Sequence, residues 1–387
     1  MTREVDAQGE TTLRILHVTE AMAAGTLTIL TSISQRQAAE GSVVSVLYAA
    51  REENPSDDDL HRRFGPNVSL LTPVQGSSSL RGKLALFKRI REIANSGNVD
   101  VVHFHSSIAG GIGRLAISSK RGRAVAYSPH GFAFLREDKS PLVRRAFEWA
   151  ERLLARRSVL VLTSPSEMRL ATTRLHVAEP RLLKSGVPSA SIPLVRIEPR
   201  PTAKPRVTMV GRMVYQKGPW RFAHVADALH ETAEFVWVGG GDPADRDRWI
   251  GRAPVRVVEW ASPEELEELL EETDIILFPT LWEGMALSLI QAQARGIPAV
   301  TTDVGGNRDT VIDGLTGFVR STDEELISAT QALISDRELR QSFSAAALSH
   351  ARSELVDDQI GVDSILIYRE ELRRRAPRAG SKSRGQS

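Results

Sequence analysis

Residues 278–300 read FPTLWEGMALSLIQAQARGIPAV. The run Asp274-Ile-Ile-Leu-Phe278 that leads into them is short and apolar, as in a strand buried inside a parallel sheet. Pro279-Thr280 ends that strand and Glu283-Gly284 makes a tight turn. From Ala286 to Ala294 apolar residues (Leu287, Ile290, Ala294) recur at helical spacing. Gly296-Ile297-Pro298 closes the helix, with glycine just past its end and proline beyond, and Ala299-Val300 opens the next strand. Strand, turn, helix and strand form the repeating unit of a doubly wound α/β domain. The turn also carries chemistry. The first amides of a helix lack intrahelical partners and the helix dipole adds partial positive charge, so an anion can rest there. Glu283 either caps this helix or holds the hydroxyls of a ligand whose phosphate lies on the amides; the stretch alone leaves both readings open.

Upstream, the apolar strand Val207–Val210 ends at Gly211, and Arg212 and Lys217 follow in a loop with Gly218 at its far end. Arginine offers phosphate a planar fork and lysine a compact point charge. Alone, this is as well explained by a solvated basic loop. Paired with the Glu283 turn in one βα array, it reads as a phosphate site.

The set resembles the retaining glycosyltransferases of family 4, which have the GT-B fold. Their pattern runs G-R-x-x-x-x-K-G, E-G-x-x-x-x-x-x-E, V-G-G and D-G-x-T-G. The sequence supplies, in that order, Gly211-Arg212…Lys217-Gly218, Glu283-Gly284, Val304-Gly305-Gly306 and Asp313-Gly314-Leu315-Thr316-Gly317. The resemblance implies two Rossmann-like doubly wound α/β domains facing across a cleft, with a C-terminal helix crossing back onto the first. The expected parts are an acceptor-side domain over 1–198, a nucleotide-sugar domain over 199–354, the crossing helix over 355–375 and a disordered basic tail over 376–387. The family's Asn-Gly near Glu198-Pro199 is absent.

The resemblance also assigns roles. Arg212, Lys217 and the backbone from Gly284 through Met285, Ala286 and Leu287 would meet the donor diphosphate, with Gly211 beside it, and Glu283 would orient the sugar. The second glutamate of the motif, which holds ribose in the family, is Gln291 here; glutamine keeps an acceptor oxygen and adds a donor. His130 would contact the donor sugar or its phosphate from the first domain, with His105 behind it. Of the two glycines the family places after its first strand, one is Ala24 and the other Gly25. No cofactor is implied beyond the nucleotide-diphosphate-sugar co-substrate, no metal, and no nucleic-acid partner. The function implied is transfer of a hexosyl or N-acetylhexosaminyl group, with retention, to a glycan or lipid-linked acceptor in surface-polysaccharide synthesis. The alternatives are a sugar-nucleotide epimerase on the same fold and a non-catalytic nucleotide-sugar-binding subunit, the latter suggested by Ala24 and Gln291.

Composition agrees with a two-domain globular enzyme. The 387 residues are 41% hydrophobic and 25% charged, with net charge +2 and no cysteine, which excludes disulfides and thiolate metal sites. No apolar run approaches the roughly 20 residues of a membrane span, and residues 1–14 lack the apolar core of a signal peptide. A cytoplasmic location follows as the expectation. Gly239-Gly240-Gly241-Asp242 follows a strand as a close-approach loop, but it is not the G-x-G-x-x-G before a helix that a nicotinamide fingerprint needs.

In the first half, Leu13–Val18, Ser42–Tyr48, Val68–Leu71, Val99–His105 and Val159–Ser164 read as strands, with a surface loop over 51–67. The second half continues with strands at Phe235–Val238, Arg256–Val258 and Ala299–Thr301, after a proline-rich linker over 186–205. Leu80–Ala94 reads as a helix with Leu84, Phe87, Ile90 and Ala94 on one side and five basic residues elsewhere. Pro141–Arg157 is a second basic helix carrying Phe147 and Trp149. A docked helix with a solvated basic face accounts for either; peripheral contact with an anionic membrane is the sharper alternative. Leu355–Arg375 reads as one long terminal helix.

Overall fold

The computed structural model describes residues 12–375 except 21, 23, 52–53, 76–78, 118–121 and 197–203. The expected tail over 376–387, the boundary at 198/199 and the missing Asn-Gly position lie outside the described residues.

Two separate parallel sheets organise the chain. The first contains β1 (Arg14–Thr19), β2 (Val43–Tyr48), β3 (Val68–Leu70), β4 (Val101–His105), β5 (Ala124–Ser128), β6 (Val159–Leu162) and β7 (Arg181–Leu182), in the order β3-β2-β1-β4-β5-β6-β7. The second contains β8 (Arg206–Val210), β9 (Glu234–Val238), β10 (Val255–Val258), β11 (Ile275–Phe278), β12 (Ala299–Thr302) and β13 (Gly317–Arg320), in the order β10-β9-β8-β11-β12-β13. Every pairing in the two sheets is parallel. In such sheets the strand order reverses once, and a crevice opens there at the carboxyl ends. The reversals fall between β1 and β4 and between β8 and β11. Glu20 and Ser106 therefore stand at one crevice, and Gly211 and Pro279 at the other. The central strands β4 and β11 are buried along their whole length; β11 is a continuous apolar run, whereas β4 includes His103 and His105.

Three sequence expectations need correction. Residues 57–64 form a helix rather than loop. Ser56 accepts from the Asp59 amide at 3.2 Å, Asp57, Asp58 and Asp59 occupy the first turn and His61, Arg62 and Arg63 the last. Those charges follow the helix dipole, and Leu60 and Phe64 supply a one-turn apolar anchor. In the helix Leu80–Asn95 the buried side is Gly82, Leu86, Ile90 and Ala94, whereas Leu84 is 53% exposed. The terminal helix begins at Ile360 rather than at the expected Leu355: it spans Ile360–Arg375, and the preceding helix ends at Glu354. Between them the Val187 amide donates to the Leu355 carbonyl at 2.9 Å and the Asp357 amide to the Val187 carbonyl at 3.1 Å, so the chain leaves helical geometry to pair with the linker.

The last helix does cross back. Ile360, Ile365 and Tyr368 are part of the first domain's core, packed with Leu30, Ile33 and Val161. A separate apolar cluster joins the domains: Ile29 of the first, Leu287, Ile290 and Leu348 of the second, and Val187 and Ile192 of the linker. Among the described residues, no helix is long and apolar enough to cross a membrane.

Candidate active site

The second-domain half is built from two strand ends. After β8 a short turn over Tyr215–Lys217 runs into Gly218, whose φ is 62°. A side chain there would be strained, and its Cβ would also lie closer than 3.0 Å to the Pro279 carbonyl oxygen. The turn is tied to the β11 exit: the Leu281 amide donates to the Gln216 carbonyl at 2.8 Å, and Gln216 Nε2 donates to the Trp282 carbonyl at 2.7 Å. This docking brings Lys217 Nζ to 2.6 Å from Glu283 Oε1, both side chains largely shielded. A shielded ion pair offers little net stability, because desolvation offsets the attraction. Glu283 also lines the cavity between the domains.

Glu283 does not cap the helix. The helix Leu287–Ala294 starts at Ala286 with no side-chain cap, which leaves its first-turn amides to other partners. Val304-Gly305-Gly306 packs behind the turn, where a Cβ on Gly306 would come closer than 3.0 Å to the Gly284 carbonyl. Asn307 Nδ2 then donates to Thr280 Oγ1 at 3.0 Å and to Thr302 Oγ1 at 3.1 Å, bracing the β11 and β12 exits.

The first-domain half is built from buried polar groups. β4 and β5 both leave the sheet through a non-glycine residue in the left-handed region, Ser106 at φ 64° and His130 at φ 52°. Such residues cost about 1–2 kcal/mol and persist where the surroundings over-determine them. Two carboxylates do so here. Glu20 accepts from Ser106 Oγ at 2.7 Å and the Ala109 amide at 2.9 Å. Glu167 accepts from the Gly131 amide at 2.8 Å and from Thr163 N and Oγ1 at 3.0 Å each; burial raises its pKa despite these donors. His130 stacks on His105, with ring planes 7° apart and His130 Nε2 at 2.9 Å from His105 Nδ1. Burial lowers His130 to about 4 and His105 well below its usual value, so both rings are neutral at neutral pH. A neutral His130 suits a hydroxyl better than a phosphate.

The halves meet at the motifs. A Cβ on Gly284 would lie 2.6 Å from the Gly131 amide nitrogen and 3.0 Å from the His130 carbonyl carbon. The Ser166 amide donates to Asp309 Oδ2 at 2.8 Å, and Ser166 Oγ to the Gly305 carbonyl at 3.2 Å. Gly25, near the start of the helix Ala24–Ala39, faces Leu287, with Leu287 Cδ1 3.8 Å from where its Cβ would be. A cavity of about 270 Å³ opens beside Glu283 between the domains, lined by Arg144, Glu167, Trp282 and Arg308 among others.

The structure thus gathers Gly25, His130, Lys217, Glu283, Gly284 and Leu287. The other expected residues, and the side chain of Leu287, stand differently. His105 is 1% exposed and shielded, so it supports His130 rather than facing a ligand. Ala286 and Leu287 bury their side chains, and Met285 packs on the interdomain cluster. Gly211 spends its amide on the Val238 carbonyl and its carbonyl on Trp237 Nε1. Arg212 is exposed, and Gln291 lies half-buried farther along its helix. Glu20, Glu167, Asn307 and His17 escaped the sequence reading. Glu20 stands just past a strand end, whereas His17 lies inside β1 and Glu167 and Asn307 lie inside helices, so no local pattern marks them as a set.

Two family models match the chain: a glycosyl transferase 4-like domain over residues 24–183 and glycosyl transferases group 1 over residues 204–336. The chain is 25% identical over 291 residues to the UDP-Gal:alpha-D-GlcNAc-diphosphoundecaprenol alpha-1,3-galactosyltransferase of Escherichia coli, covering 68% of this chain and 71% of that one. It is 24% identical to a 41.2 kDa protein of the cps region of Klebsiella pneumoniae, covering 79% and 86%. Sucrose-phosphate synthase from Thermosynechococcus elongatus superposes with a TM-score of 0.77 at 16% identity, over 92% of this chain and 98% of that one, and shares the fold. The fold and the two matched halves define a GT-B glycosyltransferase. The chain belongs to family 4 of these enzymes, among relatives that use nucleotide-sugars in polysaccharide synthesis.

Proposed function

We propose that the chain moves a hexosyl or N-acetylhexosaminyl group from a nucleoside-diphosphate-sugar to a lipid-linked glycan, retaining the anomeric configuration and using no metal. The observation that carries this is the Lys217–Glu283 pair at 2.6 Å, set beside an uncapped helix N-terminus. When donor binds, Lys217 and the helix amides meet the diphosphate, and they stabilise the charge that develops as it leaves. Glu283 stays close enough to orient the sugar hydroxyls. Among the described residues the Asp-x-Asp pairs, 57/59 and 245/247, lie in helices rather than in a strand-end loop of the cleft. The Escherichia coli relative, named for a UDP-galactose donor and a diphosphoundecaprenol acceptor, supports the donor class and the lipid-linked acceptor.

A lipid acceptor fits the outer surface of the first domain. On the helix Pro141–Ala155, Leu142, Trp149 and Leu153 are 77, 70 and 66% exposed, amid Arg145, Arg152 and Arg156. A groove of about 640 Å³ beside them is lined by Trp149, Leu153, Arg152 and Arg156. Exposed large apolar side chains interleaved with cations suit the headgroup region of an anionic leaflet, the cytoplasmic face in this reading. Sedimentation with anionic but not neutral vesicles is the expected behaviour; equal binding to both removes the charge argument. Proton coupling at the new anomeric carbon, measured with and without EDTA, tests the reaction. An inverted product or loss of activity in EDTA contradicts the mechanism.

A further inference from the structure

His130 is the end of a longer chain. His105 Nε2 lies 2.9 Å from His17 Nδ1, and His17 Nε2 lies 2.8 Å from Gln37 Oε1. Gln37 Nε2 donates to Ser364 Oγ at 2.8 Å and to Tyr368 Oη at 3.3 Å. His17, Gln37, His105 and Ser364 are all buried, between the first sheet and the two helices that cover it. The crossing helix is therefore wired to the cleft through four side chains.

The direction of this wire follows from donor and acceptor chemistry. Ser364 gives its proton to the Gly361 carbonyl at 2.7 Å, so it accepts from the Gln37 amide nitrogen. That orients Gln37 with its oxygen toward His17. An amide oxygen only accepts, so His17 carries its proton on Nε2. A neutral ring has one N–H, so His17 Nδ1 accepts from His105 Nε2–H, and His105 Nδ1 accepts from His130 Nε2–H. His130 Nδ1 is left as a buried nitrogen without a partner. Running the chain backwards would make that atom an orphaned N–H, and buried N–H groups are seldom left unpaired. Burial holds His17 and His130 to about 4, so no extra proton blurs the pattern at neutral pH.

We infer that Gln37, His17 and His105 are positioning residues that lock His130 in the Nε2–H tautomer, so that it presents its Nδ1 lone pair as an acceptor to a hydroxyl of the bound sugar. The ligand half of this inference rests on the nucleotide-sugar reading of the cleft. The wire cannot carry a proton away from the sugar, because the Gln37 oxygen at its far end does not take one up. Its role is to set which ring nitrogen bears hydrogen. A metal reading of His17, His103 and His105 fits less well. Both His103 nitrogens are already partnered, by Tyr368 Oη at 2.6 Å and Ser128 Oγ at 2.9 Å. The 2.9 Å between the His17 and His105 nitrogens is hydrogen-bond spacing, shorter than two ligands about 2.0–2.1 Å from one tetrahedral zinc would show.

The test is a long-range proton–nitrogen correlation on full-length protein with nitrogen-labelled histidine. His17, His105 and His130 should each show the neutral Nε2–H signature at pH 7. His17→Leu and, independently, Gln37→Leu should move the His130 signature toward the Nδ1–H form. Each should also lower kcat about tenfold, the loss of one hydrogen bond, while nucleoside diphosphate affinity holds. His17→Gln should restore both readouts, since its side-chain oxygen can accept from His105 Nε2–H. An Nδ1–H or doubly protonated His130 in wild type, a stoichiometric metal in the purified protein, or equal kcat for His17→Leu and His17→Gln overturns the inference. The tautomer readout needs no turnover, so the stated tautomers in a protein without transferase activity count against the nucleotide-sugar reading and leave the wire standing.

Discussion

The two sheets reach the cleft by the same topology and with opposite chemistry. At the reversal of the second sheet the strand ends carry Lys217 and Glu283 as a shielded ion pair beside a helix N-terminus. At the reversal of the first, His17 inside β1, His105 at the end of β4 and, one strand on, His130 are all neutral through burial. Charge on one wall matches a diphosphate, whose charge grows as it leaves. A neutral, directionally fixed wall matches hydroxyls, which are told apart by donor and acceptor geometry. In the proposed mechanism the second domain holds the diphosphate charge, and the first domain presents the histidines, braced by Glu20 and Glu167, to the sugar hydroxyls.

The comparison breaks most readily at Glu283. Glu283→Ala should lower kcat about a hundredfold while nucleoside diphosphate binding persists, because Lys217 is then free to meet phosphate. Turnover and calorimetry on one preparation decide it. Lys217→Ala should cost about ten- to a hundredfold in kcat/KM, and Arg212→Ala less, since Arg212 is exposed and outside the pair. Steady-state kinetics ranking Arg212 above Lys217 would move the phosphate outward along the loop.

The neutral wall predicts a pH signature. The folded pKa of His17 lies near 4, below the usual 6.5, so the unfolded chain takes up the proton first. Stability should therefore fall as pH drops from about 6.5 to about 4, by roughly 3 kcal/mol from His17 alone. Denaturant unfolding across that window should show a shallower slope for His17→Gln. Gly306→Ala places a methyl against the Gly284 carbonyl and should cost about 1–3 kcal/mol, read as a lower Tm. Gln291→Glu should change least, leaving kcat unaltered, because it keeps the acceptor oxygen.

The second domain was the more legible half. Gly211, Lys217, Glu283 and Gly306 sit in short motifs whose glycines are demanded by close backbone approach, so spacing along the chain reports spacing in space. The first domain hides its chemistry in long-range contacts. Gln37 and Ser364 are 327 positions apart, and no local pattern links them. The helix over 57–64 was missed because its charges mask two buried apolar residues. The last helix starts at Ile360 rather than Leu355 because pairing with Val187, not a local breaker residue, holds Leu355–Asp357 out of helical geometry.

The division between the walls is tested most directly by calorimetric titration of UDP, GDP and ADP into wild type, Lys217→Ala and His130→Ala. For the nucleotide that binds, Lys217→Ala should raise Kd about ten- to a hundredfold, and His130→Ala should keep it within about threefold. A His130→Ala variant that loses nucleotide affinity as severely as Lys217→Ala, or a Lys217→Ala variant that keeps it, would contradict the assignment of charge to one wall and hydroxyl reading to the other.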